Sequence, residues 1–117
     1  MENKEFSRKL EERTKVFALK IIRLSAFIPS SIEGKIVRNQ MTKSGTSIGA
    51  NYREATRARS RADFKNKIKI CESEANETSY WLEIVGNLKW TESQSLQTAL
   101  NESNELLALF TSIGKNL

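Results

Sequence analysis

The sequence predicts an all-α protein, an antiparallel up-down-up-down four-helix bundle. Three observations carry this. Proline occurs once, at Pro29, and glycine five times, in a chain rich in Leu, Ile, Ala, Glu, Lys and Arg, which favour helix. Apolar residues recur at three- and four-residue spacing in four separate stretches. Short segments with helix-stop and helix-start chemistry divide the stretches, so consecutive helices fold back on one another. A single domain spans residues 1–117, a length that sustains a core without disulfide staples. An extended helical hairpin that completes its core only by dimerising satisfies the same pattern.

The first helix is expected from about Lys4 to Phe27. Phe6, Leu10, Phe17, Ile21, Leu24 and Ile28 form its stripe, widened by Val16, Leu19 and Ile22. Pro29 stops it. Ser30 or Ser31 caps the second helix, with Glu33 as a capping-box partner three residues after Ser30.

Helix two begins near Ser31. Val37, Met41, Ile48, Tyr52 and Ala55 share a face, with Ser44 in phase between them. The stripe runs without losing register through the segment KSGTSIGANYREA, Lys43 to Ala55. That segment therefore reads as helix interior. Gly45 and Gly49 inside it cost about 1 kcal/mol each relative to alanine. A closely approaching neighbour is the expected compensation, because the two glycines stack one turn apart.

A break falls at Ala58-Arg59-Ser60, and Ser60 with Asp63 resembles a capping box. Helix three follows with a heptad-type seam: Phe64, Ile68, Cys71, Ala75, Thr78, Leu82 and Val85. Gly86-Asn87 is expected to supply a left-handed C-cap. Thr91 with Gln94 is expected to cap helix four, whose inner stripe is Leu96, Leu100, Ser103, Leu107, Phe110 and Ile113, with Ala99 and Leu106 beside it. Gly114 ends it.

Helix three carries more apolar surface than one bundle needs. Ile70, Tyr80, Trp81 and Ile84 cluster away from the seam, with Glu74 and Glu77 among them. Aromatics flanked by carboxylates suit a subunit interface, so Glu74, Glu77, Tyr80, Trp81 and Ile84 are the expected contacts of a homo-oligomer.

Much catalytic chemistry is missing. The chain has no histidine and one cysteine, which removes Ser-His-Asp and Cys-His arrangements and the usual zinc sites. Gly45 to Gly49 does not meet the phosphate-loop pattern, since the spacing is wrong and no lysine follows Gly49. Glu74 and Glu77 can in principle hold a metal for hydrolysis, but at i,i+3 spacing such pairs are usually surface charges. The reading is no enzyme, no cofactor and no metal site. The charged N-terminus MENKEFSRKLEERTK resembles no signal peptide, and no uncharged run reaches membrane-spanning length. A soluble, cytoplasmic protein with no membrane partner is expected.

Charge is the main functional signal. The formal net charge is +5, and Arg53 to Lys69 alone carries seven basic and two acidic residues, so the rest of the chain is neutral. Arg53, Arg57, Arg59, Arg61, Lys65 and Lys69 gather at the corner between helices two and three and suit phosphate contacts. Aromatics are not interleaved with them, which favours recognition of backbone or shape over base stacking. The leading reading is an oligomeric nucleic-acid-binding protein, structured RNA favoured over DNA. The alternative is a scaffold whose basic corner docks an acidic protein partner.

The segment from Ser44 to Ala55 (SGTSIGANYREA), then Asp63-Phe64, then Glu74 to Glu83 (EANETSYWLE), with Arg13 to Ala18 in helix one, resembles the bacterial four helix bundle protein family. Its members are also called 23S ribosomal RNA intervening-sequence proteins or S23 ribosomal proteins. The resemblance spans nearly the whole chain. It implies an antiparallel four-helix bundle assembled as a homopentameric barrel. It also extends to basic pentameric accessory proteins of diversity-generating retroelements, which engage nucleic acid and a reverse transcriptase. The ribosomal label does not imply a ribosome component.

Overall fold

The computed structural model describes residues 3–117 and contains four helices: α1 (Lys4–Ser25), α2 (Ile32–Ala55), α3 (Arg61–Asn87) and α4 (Ser93–Lys115). Each has 22 to 27 residues, about 33–40 Å at 1.5 Å per residue, which accounts for the 44 Å long dimension of the molecule. Packing follows chain order: α1 on α2, α2 on α3, α3 on α4, and α4 back on α1 across the thinnest seam. The diagonal helices α2 and α4 meet through side chains, with the Tyr52 and Phe110 rings 5.7 Å apart at the centre. The fold is the expected antiparallel four-helix bundle.

The core consists of the apolar residues that the helical spacing puts on one side. Phe17, Ile21, Met41, Ile48, Tyr52, Ile68, Leu82, Leu106 and Phe110 are fully enclosed. Each such side chain contributes about 2 kcal/mol through removal of apolar surface from water. The α3 seam is buried throughout, from Phe64 to Val85.

Lys43 to Ala55 is continuous helix within α2. Its glycines face α1. A Cβ on Gly45 would lie 2.8 Å from Ile21 Cγ2, and one on Gly49 would lie 3.1 Å from Thr14 Oγ1 and 3.3 Å from the Thr14 backbone carbon. The α1–α2 packing leaves no room for either methyl without displacement.

Buried hydroxyls fix α3 against its neighbours. Thr78 Oγ1 lies 2.9 Å from Ser44 Oγ on α2, and Ser79 Oγ lies 2.8 Å from Ser103 Oγ on α4. Each such bond contributes roughly 1 kcal/mol net, and more is lost when one partner is left buried and unpaired. The Cys71 thiol is also buried, 3.5 Å from the Ile48 carbonyl oxygen, and desolvation pushes its pKa up to about 12. It is a small apolar filler rather than a nucleophile.

Several element boundaries differ from the sequence expectation. The helical run of α1 stops at Ser25, and turns carry the chain through Phe27 to Ile28. Val16, Leu19 and Ile22 do not widen the core stripe: they are 50%, 42% and 47% exposed. α1 packs closely on α2 but meets α4 only across the thinnest seam, so its buried arc is narrow. Ser31 alone caps α2, by accepting from the Gly34 N–H, which leaves the Ser30–Glu33 pairing one residue out of frame.

Gly86 takes no left-handed conformation; the positive φ belongs to Lys89, at 56°. Gly86 is small because Leu96 crosses it, with Cδ2 2.5 Å from where a Cβ would stand. Glu92, not Thr91, caps α4. Its longer side chain accepts from the N–H groups of Gln94 and Ser95 and from the Ser95 hydroxyl. These bonds hold the exposed Glu92 carboxyl below the usual carboxylate range, led by the Ser95 hydroxyl. Thr91 Oγ1 is buried and has no hydrogen-bond partner among the described residues. The buried line of α4 runs through Leu96, Ala99, Ser103, Leu106 and Phe110, while Leu100, Leu107 and Ile113 flank it half-buried. Helix α4 continues one residue past Gly114 to Lys115.

Candidate nucleic-acid interface

The basic corner is built by two helix ends and the turn between them. α2 stops at Ala55, where the apolar stripe ends, and Thr56 to Ala58 close a turn with backbone bonds to Tyr52, Glu54 and Ala55. Ser60 then opens α3 by accepting from the Asp63 N–H, and the Asp63 carboxylate accepts from the Arg59 N–H at 3.3 Å. Three consecutive backbone features therefore have defined partners, and the corner is a short, tied turn rather than a loose linker.

All six predicted basic residues, Arg53, Arg57, Arg59, Arg61, Lys65 and Lys69, are exposed. They do not form a single row. Arg57 lies in the turn, so the four-residue stepping Arg53–Arg57–Arg61 is broken between α2 and α3. The continuous row is Arg61, Lys65 and Lys69, at i, i+4 and i+8 on α3. Arg53 leans toward α1, 3.7 Å from Glu11, an exposed pair worth little. Arg57 donates to the Arg53 carbonyl and to Thr56 Oγ1. Arg61 donates to the Leu117 backbone oxygen at 3.0 Å, which brings the end of α4 beside the corner. Among the described residues, the side chains of Arg59, Lys65 and Lys69 make no ion pair.

The expected interface residues sit higher on α3. Trp81 and Ile84 are half-buried against the core, whereas Tyr80 is 56% exposed. Tyr80 and Trp81 pack edge to face with ring centres 5.1 Å apart, and Trp81 Nε1 donates to Glu77 at 3.0 Å. Desolvation raises the pKa of Glu74, neighbouring Glu77 adds to the rise, and Lys43 opposes it. The sequence reading missed an exposed apolar strip on the other side of the molecule, formed by Val16, Leu19, Ile22 and Phe27. Its signal was present in the helical phase, since these residues lie well off the Phe17–Ile21–Leu24 line.

Among the described residues no group of three or more His, Cys, Asp or Glu stands close enough to hold a metal ion. None of the described helices is long and apolar enough to cross a membrane.

Fold and surface together define a class: a small antiparallel helical bundle whose excess positive charge is held at one inter-helix corner. More particularly, the chain belongs to the 23S rRNA-intervening sequence protein family, whose pattern matches residues 5–112. It is similar to a solved structure of a protein of unknown function from the S23 ribosomal protein family of Bacteroides thetaiotaomicron. The two share 40% identity and superpose with a TM-score of 0.82, over 90% of this chain and 97% of the other. Among curated proteins, none matches.

Proposed function

We propose that the protein is a non-enzymatic, homo-oligomeric nucleic-acid-binding protein that recognises the phosphate backbone of structured RNA through the α2–α3 corner. The observation that carries this is the exposure of Arg53, Arg57, Arg59, Arg61, Lys65 and Lys69 at the α2–α3 corner, with Arg59, Lys65 and Lys69 forming no ion pair among the described residues. Cations left free of internal partners displace counterions from a polyanion at little cost to the fold. The Arg61–Lys65–Lys69 row spans eight residues of helix, about 12 Å, enough to follow successive phosphates along one strand. Assembly of several copies, a pentamer by family resemblance, repeats the corner and multiplies a modest affinity. Trp81 and Tyr80 with Glu74 and Glu77 are the proposed contacts between copies.

The test is a gel-shift series with 23S ribosomal RNA fragments, random RNA duplexes, DNA duplexes and polyglutamate. Binding of RNA duplexes in preference to DNA, without binding of polyglutamate, is the expected result. Tight binding of polyglutamate with none of RNA would instead assign the corner to an acidic protein partner.

A further inference from the structure

The basic corner opens onto α3, and the two flanks of that helix differ in charge. Arg61, Lys65, Lys69, Glu72, Asn76 and Ser79 step by four, four, three, four and three residues, which keeps them on one face. That face borders α4: Arg61 donates to the Leu117 backbone oxygen, Glu72 accepts from the Thr111 hydroxyl, and Ser79 donates to Asn104 Oδ1 at 2.8 Å. On α4, Asn104, Thr111 and Lys115 step by seven and four, so Lys115 continues the line that meets α3. Gly114 faces Ile68 across the same seam, with 3.8 Å from a Cβ there to Ile68 Cγ2. The antiparallel pairs Thr111–Glu72 and Gly114–Ile68 put Lys115 level with the stretch from Lys65 to Lys69.

From the corner to Asn76 this face has four cations, Arg61, Lys65, Lys69 and Lys115, against one carboxylate, Glu72, which is bonded to Thr111. Among the described residues none of the four cations forms an ion pair. The nearest acids of α4 turn the other way, where Arg13 of α1 clasps Glu102 through two 2.7 Å bonds and Glu105 through a third at 3.0 Å. The opposite flank of α3, on the side where Thr78 bonds Ser44 of α2, carries Asp63, Lys67, Glu74 and Glu77, three carboxylates against one cation. A phosphate strand leaving the corner therefore meets cations along the α4 side of α3 and carboxylates along the α2 side. From Arg61 to Asn76 the favourable face runs fifteen residues, about 22 Å, and the exposed Glu83 seven residues further on ends it.

Resting on the reading of the corner as a nucleic-acid site, we infer that the bound RNA strand runs from the corner along the α3–α4 face, parallel to the long axis of the bundle. Lys115 is a further phosphate contact on this track, and Asn76 lies at its far end. The α2 side of α3 stays clear of the strand and remains free for the contacts between copies proposed at Glu74, Glu77 and Trp81.

The experiment compares Lys115→Gln with Lys67→Gln, which remove one charge each at the same level of the bundle but on opposite flanks of α3. Fluorescence anisotropy of a labelled RNA duplex is followed over a salt series with the full chain. Lys115→Gln is expected to weaken binding roughly five- to tenfold near 0.1 M salt and to lower the salt slope by about one, while Lys67→Gln leaves both unchanged. Asn76→Glu, which sets a carboxylate in the track, weakens binding as well. Circular dichroism and light scattering confirm that each variant keeps the fold and mass of the native chain. Unchanged affinity in both Lys115→Gln and Asn76→Glu, or a loss in Lys67→Gln as large as that in Lys115→Gln, overturns the track. If Arg57→Glu with Arg61→Glu still weakens binding in that case, the corner reading stands without it. No RNA binding by the native chain, or none lost in the corner variant, overturns the corner reading and the track together.

Discussion

Three of the glycines show how much a single missing methyl can decide. Gly34 sits in the first turn of α2, and a Cβ there would fall 1.9 Å from the Pro29 carbonyl oxygen. That atom is backbone, so it cannot step aside. Gly34→Ala is expected to destabilise the protein by roughly 2–3 kcal/mol in urea unfolding. Gly114→Ala meets nothing nearer than 3.8 Å and gains helix propensity, so it should stabilise by up to about 1 kcal/mol. Reversed signs would show that the approach of α2 to the Pro29 turn is wrong. Gly86 owes its smallness to Leu96, a partner ten residues away across a turn, which no local pattern announces. Glu74 supplies a pH test at the same scale. Its pKa is raised by desolvation and by Glu77, so the folded state holds a proton more tightly than the unfolded one. Stability contributed by that proton is present below the ordinary glutamate value of about 4.3 and is lost as pH rises through the elevated folded value. Glu74→Gln should therefore raise the melting temperature near pH 7 and leave it unchanged near pH 3. An equal shift at both pH values would mean that the charge is not the cause.

At the scale of the helix, legibility tracked the width of the buried arc. The α3 seam was readable without error because α3 packs on both α2 and α4, so its apolar residues repeat cleanly from Phe64 to Val85. Helix α1 was harder. Its strip of Val16, Leu19 and Ile22 has the composition of a core but the phase of a surface. In α4 the abundance of leucine blurred the phase by one position, and only packing decides that Ala99 and Leu106 outrank Leu100 and Leu107. The Glu92 cap was missed because Thr and Ser are the stronger capping residues in isolation, whereas here the long carboxylate reaches two N–H groups. The Arg13 clasp joins residues 89 and 92 positions apart and was not visible locally at all. Its two-pronged geometry keeps the guanidinium firmly protonated, chiefly through the bond to Glu102. An Arg13→Gln, Glu102→Gln double-mutant cycle should give a coupling of about 1 kcal/mol, at the upper end for a partly exposed pair. No measurable coupling would reduce the clasp to a surface contact.

The whole molecule is polarised along its long axis. The α2–α3 corner with its arginines and lysines occupies the end shared by the start of α1 and the end of α4, as the Glu11–Arg53 and Arg61–Leu117 contacts fix. Large exposed apolar residues, among them Phe27, Ile32, Ile36 and Leu88, concentrate at or toward the other end. This separation follows from the up-down topology, which returns every second connection to the same end. The sequence made the charge cluster legible because it is contiguous from Arg53 to Lys69. It could not show that the cluster splits into a turn and a three-residue row on α3, because that depends on where α2 stops. The most direct test of the central claim is the salt dependence of binding to an RNA duplex, compared between the native chain and the Arg57→Glu, Arg61→Glu variant. The native chain should lose affinity steeply as salt rises, and the variant should bind more weakly with a slope shallower by roughly one to two. Identical slopes and affinities would place the phosphate contacts elsewhere and contradict the account.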